Sequence, residues 1–217
     1  MPMPPPVAPN AALHELEYVV VDVETTGRSY AYADRVTEVA AVVIRNGRQS
    51  DAFSSLVNPG RSIPPLITQL TGISNAMVAA APPFDDVAAT LAALIETRVF
   101  VAHNVAFDWG FVSEELFRAT GRPLAGDRLC TVRLARRLLP HLPRRNLDAV
   151  TAYYNVHIEA RHRALGDAVA TARVFAHMLD ELGRRGIHTW RELGLLLKGR
   201  VRRRTALPRS MTDWRIA

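Results

Sequence analysis

Ten residues, Tyr18-Val-Val-Val-Asp-Val-Glu-Thr-Thr-Gly27, constrain the fold of this 217-residue chain more than any others. They open as an apolar, β-branched run, the pattern of a buried strand. Asp22 and Glu24 then interrupt it. Side chains of a strand alternate between faces, so the two carboxylates share one face while Val21 and Val23 point to the other, into a core. Thr25, Thr26 and Gly27 follow as turn chemistry. Like charges held side by side repel, and burying them unpaired is costly. A divalent cation removes that cost, and carboxylate oxygens suit magnesium or manganese. One acid at a strand end would read as the start of a solvated turn. An Asp-x-Glu pair behind four apolar residues reads as a metal site.

A chain of this length suits one domain with extensions. Hydrophobic residues make up 48%, enough for most of it to fold around a core. Cys130 is the single cysteine, so no internal disulfide forms and no Cys/His zinc cluster is spelled out. That pattern fits a reducing cytoplasm. No apolar run reaches the ~18 residues of a membrane span, and Met1-Pro-Met-Pro-Pro-Pro lacks the basic start and apolar core of a signal peptide. Residues 1–16 are proline-rich without periodicity and read as a disordered leader.

After the first strand comes a polar loop with Tyr30 and Tyr32, candidates for stacking on a base or for simply covering the loop. Two further strands follow, 36–45 and 48–57, joined by the tight-turn pair Asn46-Gly47. The third has mixed polarity, as at a sheet edge. A short helix spans Pro64 to Gly72, and a longer one runs from Pro83 to about Glu96. Residues 98–102 form a strand leading into His103-Asn104-Val-Ala-Phe107-Asp108 at a helix start. An acid in a first helical turn gains from the helix dipole without any further role. Here, however, it also follows a strand, on the sheet edge where ligands of open α/β folds collect. Asn104 offers an amide to a phosphate or sugar there. Residues 128–132 read as a strand and 133–139 as a helix. The third chemical stretch is His162-Arg-Ala-Leu-Gly-Asp167-Ala. Asp167 lies on a long helix running to about Leu182, and His162 sits at or before its start. Four carboxylates and one histidine suit a two-metal phosphodiester hydrolase, in which a histidine takes the proton of the attacking water.

These three stretches together resemble the DEDDh family of DnaQ-like exonucleases, within the ribonuclease H-like superfamily. The likeness covers residues 17–183 and includes Leu-Thr-Gly-Ile73 between the first two motifs. It implies an α/β fold with a central five-stranded mixed sheet flanked by helices. It implies removal of nucleoside monophosphates from nucleic-acid 3′ ends with two divalent cations, Mg2+ or Mn2+. Asp22, Glu24 and Asp167 would hold one cation, Asp22 and Asp108 the other, and His162 would be the general base. Thr25, Thr26 and Phe107 would hold the terminal nucleotide, with Asn104 in support. The patterns lie nearest to proofreading subunits and domains of bacterial replicative polymerases, which implies single-stranded or frayed DNA 3′ ends as substrate and a DNA polymerase catalytic subunit as partner. The glutamine-led clamp peptide typical of such subunits has no counterpart, because residues 184–217 contain no glutamine. Exoribonucleases that trim RNA 3′ ends share the motif set, and a non-catalytic nucleic-acid-binding module is the alternative from outside enzymes.

Charge is split along the chain. Residues 184–217 carry ten Arg or Lys and two acids, net +8, so residues 1–183, with 17 basic and 19 acidic groups, are net −2. The run Lys198-Gly-Arg-Val-Arg-Arg-Arg204 reads either as a polyanion-binding tail or as a solvated end. Residues 189–197 before it have the spacing of a short amphipathic helix.

Overall fold

The computed structural model of the chain describes residues 5–199. The strands are β1 (Tyr18–Thr25), β2 (Val36–Arg45), β3 (Arg48–Leu56), β4 (Val99–Ala102) and β5 (Arg128–Cys130). They form one five-stranded sheet in the order β3-β2-β1-β4-β5. The first three run antiparallel as a meander, and β4 and β5 add parallel to β1, so the sheet is mixed as expected. β3 is the edge, exposed along most of its length.

The acid-bearing strand therefore lies at the centre, and period-two alternation sorts its side chains. Val19, Val21 and Val23 face a core closed by α3 (Phe84–Ile95) and α4 (Val105–Thr120). Tyr18 and Val20 face a second core closed by α5 (Thr131–Leu138) and α7 (Ala164–Arg184). β2 is buried from Val36 to Ile44, so both its faces are covered. A fully buried valine or leucine is worth about 1.5–3 kcal/mol over exposure. Two such cores make a frame stiff enough to hold like charges together at its edge. Two short helices, α1 (Pro65–Thr71) and α2 (Asn75–Ala79), close a small cluster around Ile63, Ile73 and Val78. A further short helix, α6 (Leu147–Tyr153), precedes the turn into α7.

Two boundaries differ from the sequence reading. Residues 8–16 are not a loose leader. Leu13 is 4% exposed and belongs to the α7-side core. Its carbonyl accepts from the Tyr18 hydroxyl at 2.6 Å, and Val7 N donates to Asp127 at 2.6 Å. Nor does the folded domain stop at 183. α7 runs to Arg184, and α8 (Trp190–Leu197) follows with a capping box between Thr189 and Glu192. Ala12 bridges Thr189, while Ile187 and Leu193 enter the core that Leu13 enters. Neither segment has enough apolar surface alone; each is ordered by the other, across more than 170 residues of sequence, a pairing that local composition cannot reveal. The expected helix at 189–197 is present as α8. β5 ends two residues early, because Thr131 turns inward to bond His103 and starts α5. Arg202, Arg203 and Arg204 of the basic run lie outside the described residues.

Candidate active site

At the C-terminal end of β1 the face that carries Tyr18 and Val20 turns acidic. Asp22 and Glu24 continue that row and emerge half-buried where the α7-side core ends. The ladder between β1 and β4 stops at the Val20–Val101 pair. Past that end, the N–H of Val23 donates to Asp108 Oδ1 at 3.2 Å. Asp108 stands in the first turn of α4, 3% exposed, where the helix dipole favours a carboxylate. The chain reaches it through Asn104, which adopts φ 80° and ψ 57°, a left-handed conformation that asparagine tolerates.

The third component comes from α7. Asp167 is in its first turn, 4% exposed. Its position depends on Glu38, the acid of β2 that pairs in register with Glu24. Glu38 accepts Arg163 Nη2 at 2.7 Å and Nε at 3.0 Å, and the Ala164 N–H at 2.9 Å. This pins the start of α7 to the sheet. Gly166 allows the turn before it to close down: a Cβ there would lie 1.8 Å from the Glu159 carbonyl. His162 precedes the helix at φ 61°, and ligand atoms of Glu24, His162 and Asp167 lie within 4.8 Å of one another. A cleft of about 610 Å³ opens here, lined by Asp22, Asn104, Arg136, Arg161 and Asp167.

Electrostatics mark the same place. Burial, then repulsion from Asp108, Glu24 and Asp167, holds the Asp22 carboxyl well above the usual range. Burial, Asp167 and Glu38 push Glu24 up to about 7. Burial lifts Asp108 to about 8 against two backbone N–H bonds, and it raises Asp167 despite Arg161 beside it. Asp167 Oδ1 is buried with no hydrogen-bond partner. Four oxygen donors destabilised by their own proximity, one with an orphaned buried atom, suit hard divalent cations. The oxygen donors present fit such ions, and Glu24, His162 and Asp167 are the residues whose ligand atoms lie close enough to share one.

All five residues expected to do chemistry converge. The expected nucleotide contacts divide. Asn104 is exposed in the cleft. Phe107 is half-buried, tilted on Phe111 with ring centroids 4.8 Å apart. Thr25 and Thr26 are buried, and their hydroxyls are used inside the protein: Thr25 bonds the Gly27 carbonyl, while Thr26 bonds Asp34 and accepts the Arg35 N–H. Their side chains brace the loop rather than face the cleft. Tyr30 packs edge-on against Phe111, over Gly110. Sequence reasoning missed Glu38, Arg163 and Arg161. For Glu38 a signal existed, a lone charge inside the nine-residue run Val36–Ile44, which burial obliges to find a partner.

The profile of the RNase T exonuclease family matches residues 19–175. The chain is 40% identical over 170 residues to the 3′-5′ exonuclease DinG of Bacillus subtilis, covering 78% of this chain and 18% of that protein. It is 41% identical over 183 residues to a DNA polymerase III subunit epsilon-like protein of Rhodobacter capsulatus, covering 82% of this chain and 26% of that protein. The chain thus spans a fraction of the curated relatives it matches. Among solved structures, exonuclease X in complex with 5′ overhanging duplex DNA superposes with a TM-score of 0.64 at 27% identity, over 76% of this chain and 93% of that one. E. coli exonuclease I with a dT13 oligonucleotide shares the fold, with a TM-score of 0.68 at 19% identity over 78% of this chain and 42% of that one. A profile match across most of the chain settles its membership: it belongs to the RNase T exonuclease family and has the ribonuclease H-like fold.

Proposed function

We propose that this chain is a metal-dependent 3′-5′ exonuclease that hydrolyses phosphodiester bonds at nucleic-acid 3′ ends, on DNA in preference, and releases nucleoside monophosphates. The observation that carries this reading is a set of four carboxyls raised by burial and mutual repulsion, two of them, Glu24 and Asp167, with ligand atoms within 4.8 Å of His162. When bound, two divalent cations, Mg2+ or Mn2+, supply positive charge to the attacking and leaving oxygens of an in-line displacement. Asp22, Glu24 and Asp167 would hold one, with Asp22 and Asp108 holding the other. His162, beside Glu24 and Asp167, takes the proton of the attacking water as general base. Its placement is fixed by the next residue, Arg163, locked to Glu38. Arg136 and Asn104 line the cleft where the strand's phosphates and terminal sugar would lie. Phe107 would contact the terminal nucleotide beside them.

The names of the relatives, which include a DNA polymerase III subunit epsilon-like protein and an exonuclease bound to duplex DNA, support DNA as substrate, and a DNA polymerase catalytic subunit would be the partner. No helix among the described residues is long and apolar enough to cross a membrane. The basic run from Lys198 would add a non-specific hold on nucleic acid.

The test uses matched DNA and RNA strands labelled at the 3′ or the 5′ end, incubated with and without Mg2+. The reading expects the 3′ label to leave as a mononucleotide, the 5′-labelled strand to shorten stepwise, and DNA to be degraded faster. Loss of nucleotides from the 5′ end, or turnover that survives thorough chelation, would overturn it. Faster digestion of RNA would reassign the substrate.

A further inference from the structure

The cleft already contains a positive charge of the chain's own. Arg161 lies in the turn before α7, between Ala160 and His162, both at positive φ. Its Nη1 contacts Asp167 Oδ2 and its Nε contacts Asp148 Oδ1 at 2.8 Å. The two carboxylates are unlike. The Asp167 side chain is 5% exposed and that of Asp148 is 58% exposed, on the first turn of α6. Arg161 thus bridges a buried acid and a surface acid whose other side-chain partner is Asn146 Nδ2, at 3.4 Å.

We propose that Arg161 is a positioning residue that holds Asp167 until a divalent cation displaces it onto Asp148, so that guanidinium and cation compete for one carboxylate. The inference rests on the metal site argued above. Three observations carry it. The buried oxygen Asp167 Oδ1 has no partner, so Arg161 satisfies only half of that carboxylate. Neighbouring Arg163 cannot play the same part, because both its Nε and Nη2 are bound to Glu38. Asp148 gives the displaced guanidinium a place it already touches through Nε, so release breaks the Nη1 contacts to Asp167 and to His162 Nδ1 (3.4 Å) and keeps the contact to Asp148. A guanidinium inserted among four like charges lets the site fold before it is loaded. It also sets the affinity of the cation that Asp167 would help to hold, because that cation must first break a charge-assisted contact.

Mn2+ binding to the full chain, measured by isothermal titration calorimetry, tests this without turnover. Arg161→Gln removes the competitor and should tighten Mn2+ roughly three- to tenfold, the worth of one partly exposed charge-assisted contact. Asp148→Asn removes the alternative partner and should weaken Mn2+, because Arg161 then stays on Asp167. Arg161→Lys separates exchange from a mere field effect. Lysine keeps the charge but reaches one carboxylate and cannot pass from Asp167 to Asp148, so Mn2+ should weaken as with Asp148→Asn. In melting experiments the rise in Tm on adding Mn2+ should be larger for Arg161→Gln than for the wild type. Unchanged or weaker Mn2+ binding in Arg161→Gln, or unchanged or tighter binding in Asp148→Asn or in Arg161→Lys, would each overturn the exchange. A wild-type chain that takes up no Mn2+ would overturn the metal site itself, and the proposal with it.

Discussion

Two groups of buried acids stand around the same sheet edge, and the chain treats them in opposite ways. Glu38 and Glu115 are satisfied. Each accepts a forked arginine, Arg163 or Arg35, and each also accepts a backbone N–H, from Ala164 or Val36. Asp22, Glu24, Asp108 and Asp167 are left in debt to one another, and every one of them is pushed towards the protonated form. The first pair locks helices to the sheet: Glu38 fixes α7, and Glu115 fixes α4 against the start of β2. The second group sits at the end of β1 and in the first turns of α4 and α7. The first pair therefore holds the frame, and the second group is what that frame forces together.

The comparison can be broken first at the unsatisfied acids, where the effect is largest. Asp22→Ala and Asp167→Ala should each reduce turnover beyond roughly 10³-fold in a single-turnover assay, since each removes a cation holder. Residual rates near wild type would remove them from the site. Next comes the neighbour of the locked arginine. His162→Ala should lose roughly 10²–10⁴-fold in rate, the usual worth of a general base. A near-wild-type rate would leave water activation to the cations alone. On the satisfied side, Glu38→Ala strands Arg163 and the Ala164 N–H. It should cost about 1–3 kcal/mol, read as a fall in Tm both with and without Mn2+, together with a lower rate. Unchanged stability would show that α7 is held by apolar packing alone.

A smaller effect separates the groups by pH. In the metal-free protein, carboxyls whose folded values are raised bind more protons folded than unfolded. Stability then falls as pH rises from the ordinary carboxylate range, about 4, through the folded values. Those folded values are about 7 for Glu24 and about 8 for Asp108. The Tm in chelator should decline between pH 5 and pH 8, and Mn2+ should flatten the decline. A metal-free Tm that climbs through this window would mean that the acids are paired in some way the geometry does not reveal.

Much of this was legible in the residues themselves. The Asp-x-Glu pair announced both its strand and its face, because period-two alternation leaves no other arrangement for Val21 and Val23 beside Asp22 and Glu24. Asp108 and Asp167 were legible through their helix starts. What stayed hidden depended on distant partners. The Glu38–Arg163 lock joins positions 125 residues apart. Leu13 is buried in a core that also takes in Ile187 and Leu193, more than 170 residues away. The hydroxyls of Thr25 and Thr26 looked available from the sequence, and only the fold of the loop around Asp34 shows them in use. Local chemistry can be read from a sequence, but which polar groups are already spoken for is a property of the fold.

The central claim, that the four acids are destabilised until a cation joins them, is tested most directly by thermal melts of the wild type and Asp22→Asn. Each is measured at pH 8, once in chelator and once in saturating Mn2+. The account predicts a reversal of order. In chelator Asp22→Asn should melt about 2–4 °C above the wild type, the shift that about 1 kcal/mol produces in a chain of this size. In Mn2+ the wild type should melt higher, because it alone binds the cations fully. A variant that melts below the wild type in chelator would contradict the claim, since the Asp22 charge would then be stabilising without any metal.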